Sequence, residues 1–417
     1  MAGLVIIAAV VVLYSLCATV LDRASITGPL VLLVVGSVFG DGGLDVLHIA
    51  VSAESLRVLA ELALAIILFS DASSISVSSA RGEVGITGRL LGIGLPLTIG
   101  LGAVLCHVCF PAASWPLCAL VGSLLAPTDA ALGLAVVTNP LVPRRVRETL
   151  SIEGGLNDGL ATPFVYFFLA LSLSESTSGH WRHALVELAG GIVVGIVLGG
   201  AAGWLCRWAC ARLSVGDRHK QLAFLAAGLL VFATALDLGF NGFVAAYVAG
   251  FAFAIGSKGV LDDAKELSDD AGIYTSFAVW LLFGVAVAGP ILRLGFSWTA
   301  LLYACLSLTV IRMVPVAIAL IGTKTRPLTV SFIGWFGPRG LASVVFLIVA
   351  VDQFPHASDL RVLVTAATWT IVLSVVLHGL TSRPFAAAFG RRVQGSSATP
   401  EESSGPATIG RFRTSGS

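Results

Sequence analysis

Apolar residues in this chain occur in long runs separated by short polar connections. A helix needs about 20 apolar residues to cross a bilayer. The pattern predicts about 13 such helices, over residues 2–21, 27–40, 54–72, 85–108, 115–137, 149–173, 183–211, 219–236, 240–257, 271–288, 297–321, 328–351 and 360–382. The first run begins at Ala2 with no basic stretch ahead of it, and Asp22 and Arg23 follow it directly. It therefore reads as a retained helix and not as a cleaved signal peptide. From residue 391 onward Ser, Gly, Pro and Arg dominate without apolar periodicity, a composition that predicts disorder. The expected organisation is one membrane domain over 1–385 and a short disordered cytoplasmic tail over 386–417, too short for a regulatory domain.

Composition strengthens this picture. The 417 residues are 56% hydrophobic and 12% charged, against about 25% charged in soluble proteins. A net charge of +1 predicts no nucleic-acid partner. The seven cysteines lie mostly inside apolar runs and read as buried free thiols. The Cys106 and Cys109 C-x-x-C is by itself a weak metal or redox signal. Of the 25 lysines and arginines, nineteen fall in or beside connections on the side of the C-terminus and four on the other; Arg312 and Arg339 lie within spans. This bias puts the C-terminus in the cytoplasm and the N-terminus outside. The expected fold is an all-α polytopic membrane protein with about 13 transmembrane helices, readable by count alone as two inverted six-helix repeats around a linker helix. The fifth span carries Pro127, Thr128 and Asp129 at mid-depth, and the twelfth carries Phe336 to Gly340 (F-G-P-R-G). Pro and Gly there break the helix ladder. Broken helices 5 and 12, at matching positions in the two halves, point to a midplane binding site.

Ionisable residues inside a membrane cost at least ~2.5 kcal/mol each and mark function by default. The sixth span holds Glu153, Asn157 and Asp158 in I-E-G-G-L-N-D-G. Glu153 and Asn157 share a face at i, i+4, while Asp158 points about 100° further round. Asp129 is the expected neighbour of this group. Two nearby buried carboxylates must take up a proton or share a cation, which is the chemistry an exchanger needs. A hard monovalent cation prefers oxygen ligands. Asp158 would supply charge, and Thr128, Asn157 and freed carbonyls neutral oxygens; alternatively, the Asn157 amide only fixes the Asp129 backbone. Arg312 needs a carboxylate, and Glu153 suits it by chemistry. Arg339 would offset negative half-helix ends or set the pore potential. Asp71, at the end of the third span, reads first as an interfacial cap and only second as a ligand. The histidines lie mostly near span ends or in loops and receive no role.

P-T-D-A in one span, E-x-x-x-N-D in the next, then a buried Arg, G-P-R-G and V-L-H-G-L-T (Val376 to Thr381) together resemble the NhaP-type sodium/proton exchangers. The resemblance implies 13 helices, a homodimer, and movement of a core domain against a dimer domain. It also implies Asp158 as the carboxylate that binds ion and proton, Thr128 and Asp129 as the broken-helix part of the site, Asn157 as its holding partner, and Glu153 with Arg312 as a structural ion pair. Members with Asn-Asp are generally electroneutral. Two positions depart from the family pattern: Gly154 where many members have Ser, and Ala130 where Pro is common. The resulting expectation is one-for-one exchange of Na⁺ or Li⁺ for H⁺ in a cell (plasma or inner) membrane, the two ions alternating on Asp158. No cofactor is expected beyond the transported ions, the partners being the lipid bilayer and a second copy of the chain. A K⁺/H⁺ exchanger on the same scaffold, a cation channel and an ion sensor are the rival classes. An enzyme is not expected, since no nucleophile–base pair is visible.

Overall fold

A backbone surrounded by lipid must satisfy its own hydrogen bonds, so apolar runs fold as helices. The computed structural model describes residues 2–40, 43–46, 53–74, 85–129, 132–173, 180–260, 262–293, 296–354 and 357–394, and contains no strand among them. In chain order the helices are α1 (Ala2–Arg23), α2 (Gly28–Phe39), α3 (Ala53–Ser73), α4 (Gly85–Cys109), α5 (Trp115–Leu124), α6 (Leu134–Val137), α7 (Arg144–Leu173), α8 (Arg182–Arg212), α9 (Asp217–Asp237), α10 (Gly242–Ser257), α11 (Glu266–Arg293), α12 (Trp298–Leu308), α13 (Val310–Ala319), α14 (Pro327–Trp335), α15 (Leu341–Gln353) and α16 (Ala357–Gln394). Seven helical stretches among the described residues are long and apolar enough to cross a membrane: α4, α7, α8, α9, α11, α12 with α13, and α16. Single π turns interrupt α4 at Leu90–Gly94, α8 at Gly195–Gly199 and α11 at Gly284–Ala288.

Local chemistry sets many of the helix starts. Ser114, Asn241 and Ser297 accept a backbone N–H of the first turn of α5, α10 and α12, satisfying donors that a helix end leaves open. Pro29, Pro116 and Pro327 lie in the first turn of α2, α5 and α14, where the missing N–H costs nothing.

The most buried helix is α15, whose residues from Leu341 to Ala350 are all buried. A helix apolar on every side belongs at the centre of a bundle, and α3, α5, α7, α11 and α16 pack around it. At the other extreme, α1 and α8 expose Leu13, Leu16, Val193, Trp204 and Leu205, side chains suited to lipid.

Two helices depart from the expected spans. The last does not stop at 382 but continues to Gln394, so the boundary expected at 385 falls inside α16. Ala386, Phe389 and Val393 recur at helical spacing and are buried with Phe332, Phe336 and Val136. Phe389 stacks on Phe332 at 4.0 Å. The apolar face that sustains the extension is packed on protein, so it lies beyond the reach of a lipid-run argument. The rest of the tail expected to be disordered, 395–417, lies outside the described residues, as does Ala130. The eleventh span, expected to be continuous, is broken at Thr309 (φ −113°, ψ −87°) between α12 and α13. All seven cysteines are free, with Cys106 and Cys118 buried.

Candidate functional site

The two interruptions meet. Pro127 cannot donate a backbone hydrogen bond and disfavours helical geometry at Ala126, and α5 ends at Leu124. Gly337 and Pro338 likewise follow the end of α14 at Trp335. The two non-helical segments cross, and the Asp129 N–H donates to the Pro338 carbonyl at 2.8 Å.

Each segment sends a charge to the other's helix end. The residue that caps α15 is Gly340, which has no side chain to accept a hydrogen bond. Asp129 Oδ2 accepts the N–H of Leu341, the first residue of α15, at 3.3 Å. A carboxylate at a helix N-terminus complements the helix dipole by ~0.3–1 kcal/mol, more when partly buried. A Cβ on residue 340 would stand 2.0 Å from Asp129 Cβ, so only glycine admits the carboxylate there. In the opposite direction, the fully buried Arg339 reaches the carbonyl end of α5. Its Nη1 donates to Ala126 O at 3.0 Å, and its Nη2 to Ser307 O at 3.1 Å. Ser307 O would bond the Ile311 N–H in an unbroken helix; the break at Thr309 frees it for the guanidinium.

The sixth span, now α7, lines this crossing with one face. Arg312 forks onto Glu153 with Nη1–Oε1 at 2.6 Å and Nη2–Oε2 at 2.9 Å, and both residues are buried. Gly337 makes room for it, since a Cβ there would lie 2.4 Å from Arg312 Nε and 3.0 Å from Thr128 Cγ2. One turn beyond Glu153, Asn157 Nδ2 donates to Thr128 Oγ1 at 2.5 Å. The hydrogen bond from Asn157 therefore runs to the Thr128 side chain and not to the Asp129 backbone. Asn157 Oδ1 is buried and takes no hydrogen bond from the described residues.

Asp158 is 7% exposed, and its own carbonyl accepts from Thr162 Oγ1 at 2.9 Å. Asp71 is 8% exposed. It is packed against α7, its Cγ 3.5 Å from where a Cβ on Gly155 would be, and is not exposed as an interfacial cap. Gly155 and Asp158 lie at i, i+3 on α7, so Asp71 approaches the face that carries Asp158. Tyr247 of α10 packs on the same stretch of α7. Its ring occupies the space above Gly159, and its hydroxyl donates to Leu156 O at 3.3 Å. The buried polar oxygens along this stretch of α7 are thus the carboxylates of Asp71 and Asp158, the Asn157 amide and the Thr128 hydroxyl.

Four contributors had no sequence signal specific enough to select them. Tyr247 stands in an ordinary apolar run, and the Ser307 carbonyl is a backbone group. Ser374 and His378 touch the interruption itself: Ser374 Oγ accepts Arg339 N–H at 2.7 Å, and His378 Nε2 lies 2.8 Å from Trp335 O. Placing the end of the last span at 382 made His378 look terminal. With α16 extended it stands mid-helix and 1% exposed. The one available clue was its place in V-L-H-G-L-T.

Residues 7–388 match the family described as "Sodium/hydrogen exchanger, transmembrane". The chain is 25% identical over 392 residues to the "K(+)/H(+) antiporter NhaP" of Alkalimonas amylolytica, with 92% of this chain and 66% of that protein covered. It is 26% identical over 318 residues to "Na(+)/H(+) antiporter 2" of Zygosaccharomyces rouxii, with 66% and 39% covered. The chain thus spans between about two fifths and two thirds of these curated relatives' lengths. In fold it is similar to the sodium proton antiporter MjNhaP1 from Methanocaldococcus jannaschii, with a TM-score of 0.75 at 21% identity over 93% of this chain and 98% of that one.

Proposed function

The chain belongs to the sodium/hydrogen exchanger family, and on that premise we propose that it is a secondary antiporter exchanging Na⁺, or Li⁺, for H⁺ one for one. The observation that carries the reading is the Asn157–Thr128 hydrogen bond of 2.5 Å. It fastens α7 to the interrupted segment one residue before the buried Asp158, so a charged oxygen and freed neutral ones share a region.

Burial disfavours a bare carboxylate. Asp158 therefore holds a proton or a cation, and never both. Occupied either way the site is neutral, and only the loaded site crosses the membrane cheaply. That single rule couples the two fluxes and prevents leak. Asp71 and Thr128 contribute oxygens beside Asp158. Asp129 and Arg339 hold the two interruptions together through opposite helix ends. Glu153 and Arg312 fix α7 to α13 as a structural pair. Asn157 cannot titrate, so one turnover moves one positive charge each way.

The direct test is reconstitution in liposomes with a fluorescent pH-gradient readout, comparing Na⁺, Li⁺ and K⁺. Na⁺ and Li⁺ should dissipate the gradient, and Asp158→Asn should abolish the response while the protein remains monodisperse. Full exchange by that variant would disprove the assignment. A second reading, K⁺ for H⁺ at the same site, is favoured by the names of relatives such as the Alkalimonas amylolytica protein. Dissipation by K⁺ alone in the same assay would select it.

The proposal extends to a homodimer in the plasma membrane with its N-terminus outside, the orientation being supported by the skew of nineteen basic residues to one side against four. A reporter fused after residue 394 should be active only in its cytoplasmic form, and detergent-corrected mass should be that of two chains. A monomeric mass or an external reporter would reverse the corresponding part.

A further inference from the structure

Helix α16 carries Ser374, His378 and Thr381 at i, i+4 and i+7, so they share one face. That face lies against the segment that interrupts α14 and α15. Arg339 N–H donates to Ser374 Oγ at 2.7 Å, and Ser374 Oγ is 3.2 Å from His378 Nδ1. His378 Nε2 is 2.8 Å from Trp335 O, and Trp335 Nε1 donates to Thr381 Oγ1 at 3.1 Å. Arg339 N–H donates to the Ser374 hydroxyl oxygen, and a proton on His378 Nε2 donates to the Trp335 carbonyl. Nδ1 stands within hydrogen-bond reach of both the Ser374 hydroxyl and, at 3.0 Å, the Ser374 carbonyl. Ser374 is fully buried and His378 is 1% exposed, so no water competes.

The two backbone groups at the ends of this relay flank the interruption. Trp335 is the last residue of α14, where carbonyls lose their intrahelical partners; its carbonyl accepts the Gly337 N–H at 2.9 Å and faces His378 Nε2 as well. Arg339 N lies just before α15. In a membrane such groups need partners from the protein, and one serine–histidine pair serves both sides of the gap.

Resting on the exchange reading above, we propose that Ser374 and His378 form a clamp that fixes the register of the Phe336–Pro338 segment and so positions the cation site from behind. The path is short. The clamp holds the Arg339 backbone, and the Arg339 guanidinium holds Ala126 O. The Pro338 carbonyl holds the Asp129 N–H, next to Thr128. His378 touches neither cation nor proton site in this scheme; it is a positioning residue.

The test uses the full chain in proteoliposomes, reading apparent KM for Na⁺, Vmax and detergent melting temperature. His378→Ala removes both ring nitrogens from a buried network, and apparent KM should rise about tenfold. His378→Gln can donate its amide to Trp335 O and accept from Ser374, and should restore KM to within about twofold of the wild type. Ser374→Ala should move KM in the same direction as His378→Ala. A merely structural side chain would lower the melting temperature and leave KM unmoved. A monodisperse His378→Ala protein with wild-type KM overturns the clamp, as does His378→Gln as impaired as His378→Ala. If His378→Ala does not fold, wild-type KM in Ser374→Ala overturns it. A wild-type chain that exchanges no cation sinks the exchange reading instead, which separates the two failures.

Discussion

At the scale of the residue, the Glu153–Arg312 fork is the clearest energetic statement in the molecule. Both groups are buried and joined by two hydrogen bonds of 2.6 and 2.9 Å. Such a pair need not add net stability, because desolvation offsets the attraction, but removing one partner leaves an uncompensated charge at ~3–5 kcal/mol. Glu153→Ala should therefore lower yield and melting temperature more than Glu153→Ala combined with Arg312→Ala. A double variant as unstable as the single, measured by thermal unfolding in detergent, would contradict the pairing energetics. The chemical identity of these partners was legible from residue type, since a buried guanidinium needs a carboxylate and α7 offers one on a suitable face. Asp71 was less legible: a carboxylate in the last turn of a helix looks interfacial until α7 is seen packed over it.

At the scale of the element, the crossing of the two interrupted helices rests on glycine. Gly340 has extended backbone (φ −120°, ψ −152°), which any residue adopts, so its constraint is space alone. Gly340→Ala would drive a methyl into Asp129 Cβ, 2.0 Å away. Overpacking of this kind costs ~1–3 kcal/mol, and the variant should melt earlier and exchange more slowly. Wild-type melting and transport would show that the Asp129 contact with α15 is dispensable. Asp129→Ala should act in the same direction by removing the charge from the α15 N-terminus, at ~1 kcal/mol; unchanged unfolding in that variant would count against the capping role. The interruptions were readable in sequence because Pro and Gly act locally on their own backbone. The break at Thr309 was not readable, because no Gly or Pro stands there and its freed carbonyl is matched by Arg339, which lies 32 residues further along.

At the scale of the whole molecule, the charge moved per cycle decides how the protein responds to membrane potential. A net elementary charge carried across the bilayer couples to voltage at ~2.3 kcal/mol per 100 mV. With Asn157 beside Asp158 the proposed cycle moves none. Exchange in vesicles clamped at zero or at a potassium diffusion potential should then proceed at equal rates; a clear acceleration at either potential would require a second titrating group in the cycle. The buried α15, with Asp129 at its start and Arg57 of α3 paired to Asp352 near its end, ties the crossing of the interruptions to α3.

Length of apolar run, scarcity of charge, the sites of Pro and Gly, and the few buried acids and arginines are properties of the chain alone. They determined an all-helical membrane protein with interruptions at Pro127 and at Gly337 to Gly340. Other features depended on contacts between distant segments. Arg339 and Ala126 stand 213 residues apart, and Asp129 and Leu341 stand 212 apart, so no local pattern could pair them. The extension of α16 to Gln394, the approach of Asp71 to Gly155 and the burial of His378 were likewise decided only in the folded molecule. The physical reason is that a backbone group's need for a partner is written locally, whereas the partner's identity depends on which distant segment packs against it.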